Sequence, residues 1–224
     1  RPHYKIAGGT VLNEAAHSVY EFDLDADGNF AEHYTNVSYF AHNKIGLATA
    51  PGTGSNGPCV ACHMPSASHT FMAATKNGSG VITAIPNQTL CDSCHTSAHG
   101  LMTAAKLEEE KAGMANAKLL LTDYLLNTLT NVRNINLHSN ITAGGYGAYT
   151  YPVNDYGAFQ NHMYPDNEKG AYVHNRIYVK RIIFDSIDWL DNGVFNGTIT
   201  IPAGYAAART WFGANATTGI ADRP

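Results

Sequence analysis

The sequence predicts a mainly α, loop-rich fold with two long helices in its C-terminal half, and three observations carry that expectation. Two segments, Thr103 to Leu129 and Ala171 to Leu190, repeat apolar residues at helical spacing. Much of the remainder is Gly, Ser, Asn and Thr, a composition that holds neither a helix nor a β-ladder. The pentapeptide C-x-x-C-H occurs twice, as Cys59-Val60-Ala61-Cys62-His63 and Cys91-Asp92-Ser93-Cys94-His95, and uses every cysteine in the chain. Nothing else repeats and no stretch reads as a linker, so residues 1–224 are expected to form one domain.

Ala31 to Ile45 reads as the first helix, with Tyr34, Val37, Phe40 and Ala41 along one side. Gly46 to Pro58 is a loop that delivers the first pentapeptide. The stretch between the pentapeptides is expected to be organised more by what the cysteines bind than by hydrogen-bonded elements. Thr103 is a plausible N-cap for the next helix, Glu108, Glu109 and Glu110 lie near the positive end of its dipole, and Leu107, Met114, Ala117, Leu121, Leu125 and Leu129 form its core face. Gly144-Gly145-Tyr146-Gly147 opens an irregular Tyr-rich segment. In the last long helix Tyr172, Val179, Ile183, Ile187 and Leu190 make the apolar stripe, and Asp191-Asn192-Gly193 is its stop signal. A strand at Thr198 to Ile201 and a small helix from Pro202 to Trp211 complete the chain.

The spacing inside each pentapeptide has a mechanical reason. Each cysteine adds across one vinyl group of a haem, two intervening residues match the separation of the vinyls, and the adjacent histidine reaches the iron. The fold is therefore expected to be organised around two covalently bound c-type haems, held by Cys59, Cys62 and His63 and by Cys91, Cys94 and His95. A zinc ribbon is the main competing reading, since two C-x-x-C knuckles also supply four thiolates to one metal. Zinc has no need of the two histidines. Paired disulfides and a thioredoxin-like redox site are weaker rivals.

Charged residues make up only 14% of the chain, and the formal net charge is -4 before any propionate is added. There is no basic stripe for nucleic acid or anionic lipid, and no apolar run of membrane-spanning length. The chain begins at Arg1-Pro2, which fits a mature product after signal removal or a trimmed fragment. Thioether attachment is carried out beyond the cytoplasmic membrane, so an extracellular or periplasmic location is expected. Asp23, Asp25 and Asp27 with Gly28 reproduce the first half of a calcium loop, but Tyr34 stands where the closing bidentate Glu belongs. Bound Ca²⁺ and an acidic turn that caps the next helix both remain open there.

What fills the second axial face of each iron decides between electron transfer and substrate chemistry. Nine histidines remain after His63 and His95: His3, His17, His33, His42, His69, His99, His138, His162 and His174. From His63 to His69 the stretched chain spans at most roughly 20 Å, barely enough to round a porphyrin edge, so His69 suits the neighbouring haem better than its own. His99 is too close to His95 to close over the same haem. Met72, Met102 and Met163 are alternatives that raise the potential, but the excess of histidine makes bis-histidine haems the default.

Gly57-Pro58-Cys59-Val60-Ala61-Cys62-His63-Met64-Pro65, followed by His69-Thr70-Phe71, resembles the haem-motif-plus-H-x-F pattern of multihaem c-type cytochromes. Ala171-Tyr172-Val173-His174-Asn175-Arg176 is similar to the H-N helix start from which such cytochromes supply a distal histidine. The likeness is to the extracellular electron-transfer cytochromes of metal-reducing bacteria, nanowire-forming ones included. It implies His69 and His174 as distal ligands, and His33 ranks next because it precedes the aromatic face of the first helix. His17, His42 and His162 carry no such signal. The resemblance implies one-electron transfer without substrate turnover, with redox partner proteins or extracellular electron acceptors, and a homopolymeric filament as one form of assembly. Two haems in 224 residues are sparse for a wire, so a soluble shuttle, or the last domain of a longer multihaem protein, stays open. A haem enzyme of peroxidase or nitrogen-oxide reductase type, with one open axial face, is the alternative from another class; a structural or sensory haem module is a third.

Overall fold

A computed structural model describes residues 7–11, 19–22, 41–47, 51, 57–65, 69–128 and 152–224. The expected helix from Ala31 lies outside them up to residue 40, as do His3, His17, His33, His138 and the acidic run Asp23, Asp25 and Asp27. Two compact units emerge: Ser38–Lys111, and Ala112–Pro224 together with Arg1–Val37. The described structure is mainly helical.

The first unit begins with a 3₁₀ turn, His42–Lys44, followed by α1, Pro58–His63. Next come β1, Thr75–Lys76, and β2, Ile82–Ala84, then α2, Gln88–Asp92, and the start of α3, Ala104–Asp123. Between the two motifs, where bound groups are expected to organise the chain more than hydrogen-bonded elements do, one short antiparallel pair, β1–β2, forms. Its turn is built from local chemistry: Asn77 Oδ1 accepts from the Ser79 and Val81 amides at 3.0 Å each, and Gly80 takes φ 78°.

Thr103 caps α3 as its sequence predicts, its Oγ1 accepting from the Lys106 amide at 3.1 Å. The three glutamates do more than face the dipole. Glu108 accepts from the Ile82 amide at 2.8 Å and pairs with Lys111 at 3.0 Å, tying β2 to the helix. Leu107, Met114, Ala117, Leu121 and Leu125 are all buried, and a π-helical turn at Tyr124–Thr128 extends the helix before Leu129, which lies outside the described residues.

The second unit is centred on α4, Val153–Asn167, and α6, Arg176–Asn192, which pack together. Sequence pattern missed α4, whose buried residues include Asp155, Asn161, His162 and Tyr164 rather than an apolar stripe. Each of three has a distant partner. Asn161 exchanges hydrogen bonds with the Tyr20 backbone at 2.7 and 2.8 Å, Asp155 accepts from Trp189 Nε1 at 2.6 Å, and Tyr164 meets Thr10 Oγ1 at 2.6 Å. Gly157 admits the Tyr20 ring, which would stand 2.0 Å from any Cβ there.

The expected single helix from Ala171 is two helices. Asn175, at φ -155°, ends α5, Ala171–His174, and caps α6 by accepting from the Tyr178 amide at 3.2 Å. Beyond it Val179, Ile182, Ile183, Phe184, Ile187 and Leu190 are buried, and Gly193 terminates the helix at φ 81°. β3, Thr198–Thr200, pairs antiparallel with β4, Ile220–Asp222, and α7, Ala206–Phe212, lies between them in sequence. Buried Asp185 holds Arg223 through two hydrogen bonds, at 2.8 and 2.9 Å, which fixes the C-terminal strand to α6.

Candidate haem-binding site

Both pentapeptides fold as a helical turn. Pro58 at the first position of α1 pre-sets its backbone angle, and three-residue spacing puts Cys59 and Cys62 on one side with His63 at the end. In the second motif α2 carries Cys91, and the His95 amide donates to the Cys91 carbonyl at 2.8 Å, so the turn continues past Ser93 and Cys94. All four thiols are unpaired; Cys59 and Cys94 are exposed, while Cys62 and Cys91 are half-buried. Burial, with the neighbouring Cys91 and Cys59 thiols adding to it, pushes Cys62 up to about 11. Burial and then Asp92 raise Cys91. Asn87 Nδ2, just before α2, donates to the Ala61 carbonyl of α1 at 2.8 Å and so joins the two motif helices.

The motif histidines are oriented alike. His63 Nδ1 lies 3.1 Å from the Phe71 carbonyl and His95 Nδ1 lies 3.2 Å from the Gly100 carbonyl. A carbonyl can only accept, so each bond requires the proton on Nδ1 and leaves Nε2 as the metal-binding nitrogen. Both carbonyls come from residues in the left-handed region, Phe71 at φ 58° and Gly100 at φ 81°. Phe71 has no glycine's freedom there, and its ring stacks on His63 with centroids 5.2 Å apart.

Haem fits the first unit for a further reason. Among its described residues only Ala61, Ile82 and Leu107 are buried apolar side chains, whereas Leu47, Phe71, Met72, Val81 and Leu101 are exposed. A unit with so little polypeptide core and so much exposed apolar surface suits a large apolar cofactor that would complete its interior. No three His, Cys, Asp or Glu side chains converge as a metal cage among the described residues.

The remaining histidines are distributed as follows. His69 is exposed. His174 in α5 is half-buried, with Nδ1 held 3.0 Å from the carboxylate of buried Glu168, and it lies so close to Gly170 that a Cβ there would stand 2.6 Å from its ring. His162 in α4 is buried. His42, in the 3₁₀ turn that packs on α1, has its ring centroid 6.3 Å from that of His95. His42, Phe71 and Gly100 are the site residues that pattern reading did not single out for these roles, and only Gly100, a turn residue just after a motif, left a local sign.

The curated C-type polyheme cytochrome OmcB of Geobacter sulfurreducens, from either of two strains, is 37% identical over 219 residues, covering 88% of this chain and 28% of OmcB. The chain is homologous to part of a polyhaem c-type cytochrome. C-type polyheme cytochrome OmcC of the same species is likewise 37% identical, over 230 aligned positions that cover 92% of this chain and 28% of OmcC. The chain therefore spans about 28% of the length of the polyhaem cytochromes it matches. No family model matches it, and no solved structure matches it.

Proposed function

We propose that residues 1–224 act as one dihaem segment of an exported c-type cytochrome, passing single electrons between two bis-histidine, low-spin haems. Cys59 and Cys62 hold the first macrocycle and Cys91 and Cys94 the second, with His63 and His95 as proximal ligands. The observation that carries this reading is the pairing of the two motifs in one unit, through the Asn87 to Ala61 hydrogen bond. Bound haem supplies the one-electron iron couple. The polypeptide orients each proximal imidazole through a backbone carbonyl, which strengthens it as a donor and lowers the potential of the iron it binds.

The distal ligands proposed from the sequence are His69 and His174, with His33 next. His174 has the carboxylate partner, Glu168, that metal-bound histidines commonly use. Transfer to redox partner proteins or extracellular acceptors, and polymerisation into a filament, belong to the same proposal. No helix among the described residues is long and apolar enough to cross a membrane. Ca²⁺ at Asp23, Asp25 and Asp27 is a further proposal from the acidic run alone.

The test is the haem-loaded chain from an exporting host. Two covalent haems per chain, two one-electron waves and no binding of carbon monoxide to the reduced protein are expected. A chain without covalent haem would sink the proposal, and carbon monoxide binding at one iron would favour the haem-enzyme alternative. Electron microscopy separates filaments from isolated particles.

A further inference from the structure

We infer that His42 is the sixth ligand of the iron carried by Cys91, Cys94 and His95, on the reading above that this motif holds a haem. The centroids of the His42 and His95 rings are 6.3 Å apart and their planes are inclined by 65°. Two imidazoles on opposite faces of one metal, each bonded at about 2.0 Å through a nitrogen about 1.1 Å from its ring centre, hold their centroids about 6.2 Å apart. The two histidines stand at that separation.

An edge-to-face contact between two aromatic rings allows a similar distance, so separation alone does not decide the matter. The hydrogen bond of His95 adds a second, independent constraint. Its Nδ1 is engaged by the Gly100 carbonyl, which fixes the ring and commits Nε2 to the iron. His42 is thus paired with a motif histidine whose metal-binding nitrogen is already assigned. His99, the nearest alternative in sequence, cannot reach the opposite face of the same haem over four residues.

The turn that carries His42 is a built support. The Lys44 amide donates to the Ala41 carbonyl at 2.9 Å, the Ile45 amide to the His42 carbonyl at 3.2 Å, and the Gly46 amide to the Pro51 carbonyl at 2.8 Å, with Gly46 at φ 83°. The same turn packs against α1. The distal ligand of the second haem therefore rides on the helix that carries the cysteines of the first, and the two haem sites share one mechanical frame. This assignment replaces His69 at the second iron, the one haem that the reach argument had left to it.

The experiment uses the exported, haem-loaded chain. Haem content comes first: two covalent haems per chain sustain the underlying reading, and a chain without them overturns both the reading and the ligand. With two haems counted, His42→Ala is expected to turn half of the haem high-spin at unchanged haem content, and added imidazole to restore low spin. In a Cys91→Ser/Cys94→Ser background, which keeps only the first haem, His42→Ala is expected to leave the spectrum unchanged. His42→Met is expected to retain six coordination and raise one of the two reduction potentials. An entirely low-spin His42→Ala protein with both potentials intact overturns the assignment, as does a change at the surviving haem in the double-serine background. Should the substitutions prevent folding, low-temperature electron paramagnetic resonance of the unaltered protein decides. Ring planes at 65° are expected to give one haem the large-gmax signal of crossed imidazoles, whereas two signals of the parallel-plane type refute the ligand.

Discussion

His162 shows how one buried side chain ties stability to pH. Burial in α4, with Lys118 adding to it and Asp166 opposing, holds its pKa down to about 4 against an ordinary 6.5. The unfolded chain takes the proton first, so the stabilisation is complete above the unfolded value and is lost as pH falls from 6.5 towards about 4. Full loss corresponds to about 3 kcal/mol. Unfolding free energies from denaturant titration are expected to fall by that much more in the unaltered protein than in His162→Gln between about pH 7.5 and pH 4; parallel pH profiles would refute this. Gly100 is a second case. A Cβ meets nothing within 4 Å there, yet φ is 81°, so the cost of Gly100→Ala is conformational, about 1 kcal/mol of unfolding free energy in denaturant titration of the haem-loaded protein. A larger loss would show that the carbonyl bond to His95 had gone as well.

At the scale of elements, α3 was legible because its buried residues recur at 3.6-residue spacing and Thr103 marks its start. α4 was not. Pro152, Gly157 and Pro165 punctuate the segment, and its buried Asp155, Asn161 and Tyr164 hydrogen-bond to Trp189, Tyr20 and Thr10, partners remote in sequence. The break at Asn175 hid for a different reason: the apolar stripe continues in register across it, while the cap depends on one side-chain bond. Asn175→Ala is expected to cost about 1 kcal/mol of stability, read from equilibrium unfolding, with Asn175→Asp restoring most of it. Inside α3, Gly113 faces Trp211 so closely that a Cβ would lie 2.5 Å from that side chain. Gly113→Ala is expected to cost about 1–3 kcal/mol despite alanine's better helix propensity, and an increase in stability would show that Trp211 can move aside.

Across the whole molecule, the two units differ in what holds them. Ala112–Pro224 contains most of the buried apolar residues, centred on α6, whereas Ser38–Lys111 has Ala61, Ile82 and Leu107. Hydrogen exchange on chain made without haem attachment is therefore expected to find α6 protected and residues 57–100 exchanging at near-unfolded rates, with protection there appearing once haem is attached. Equal protection of both units without haem would contradict this account. The motifs were fully legible because covalent attachment fixes residue type and spacing locally. The pairing of His42 with His95 was not, because ligation is a relation through space that no local pattern encodes. The thin core of the first unit also bears on biosynthesis. Thioether formation consumes reactive, accessible thiols, and a domain that packed tightly before attachment would withdraw them. A unit whose interior arrives with its cofactor stays open as a substrate until the reaction is complete, and closes only as the product.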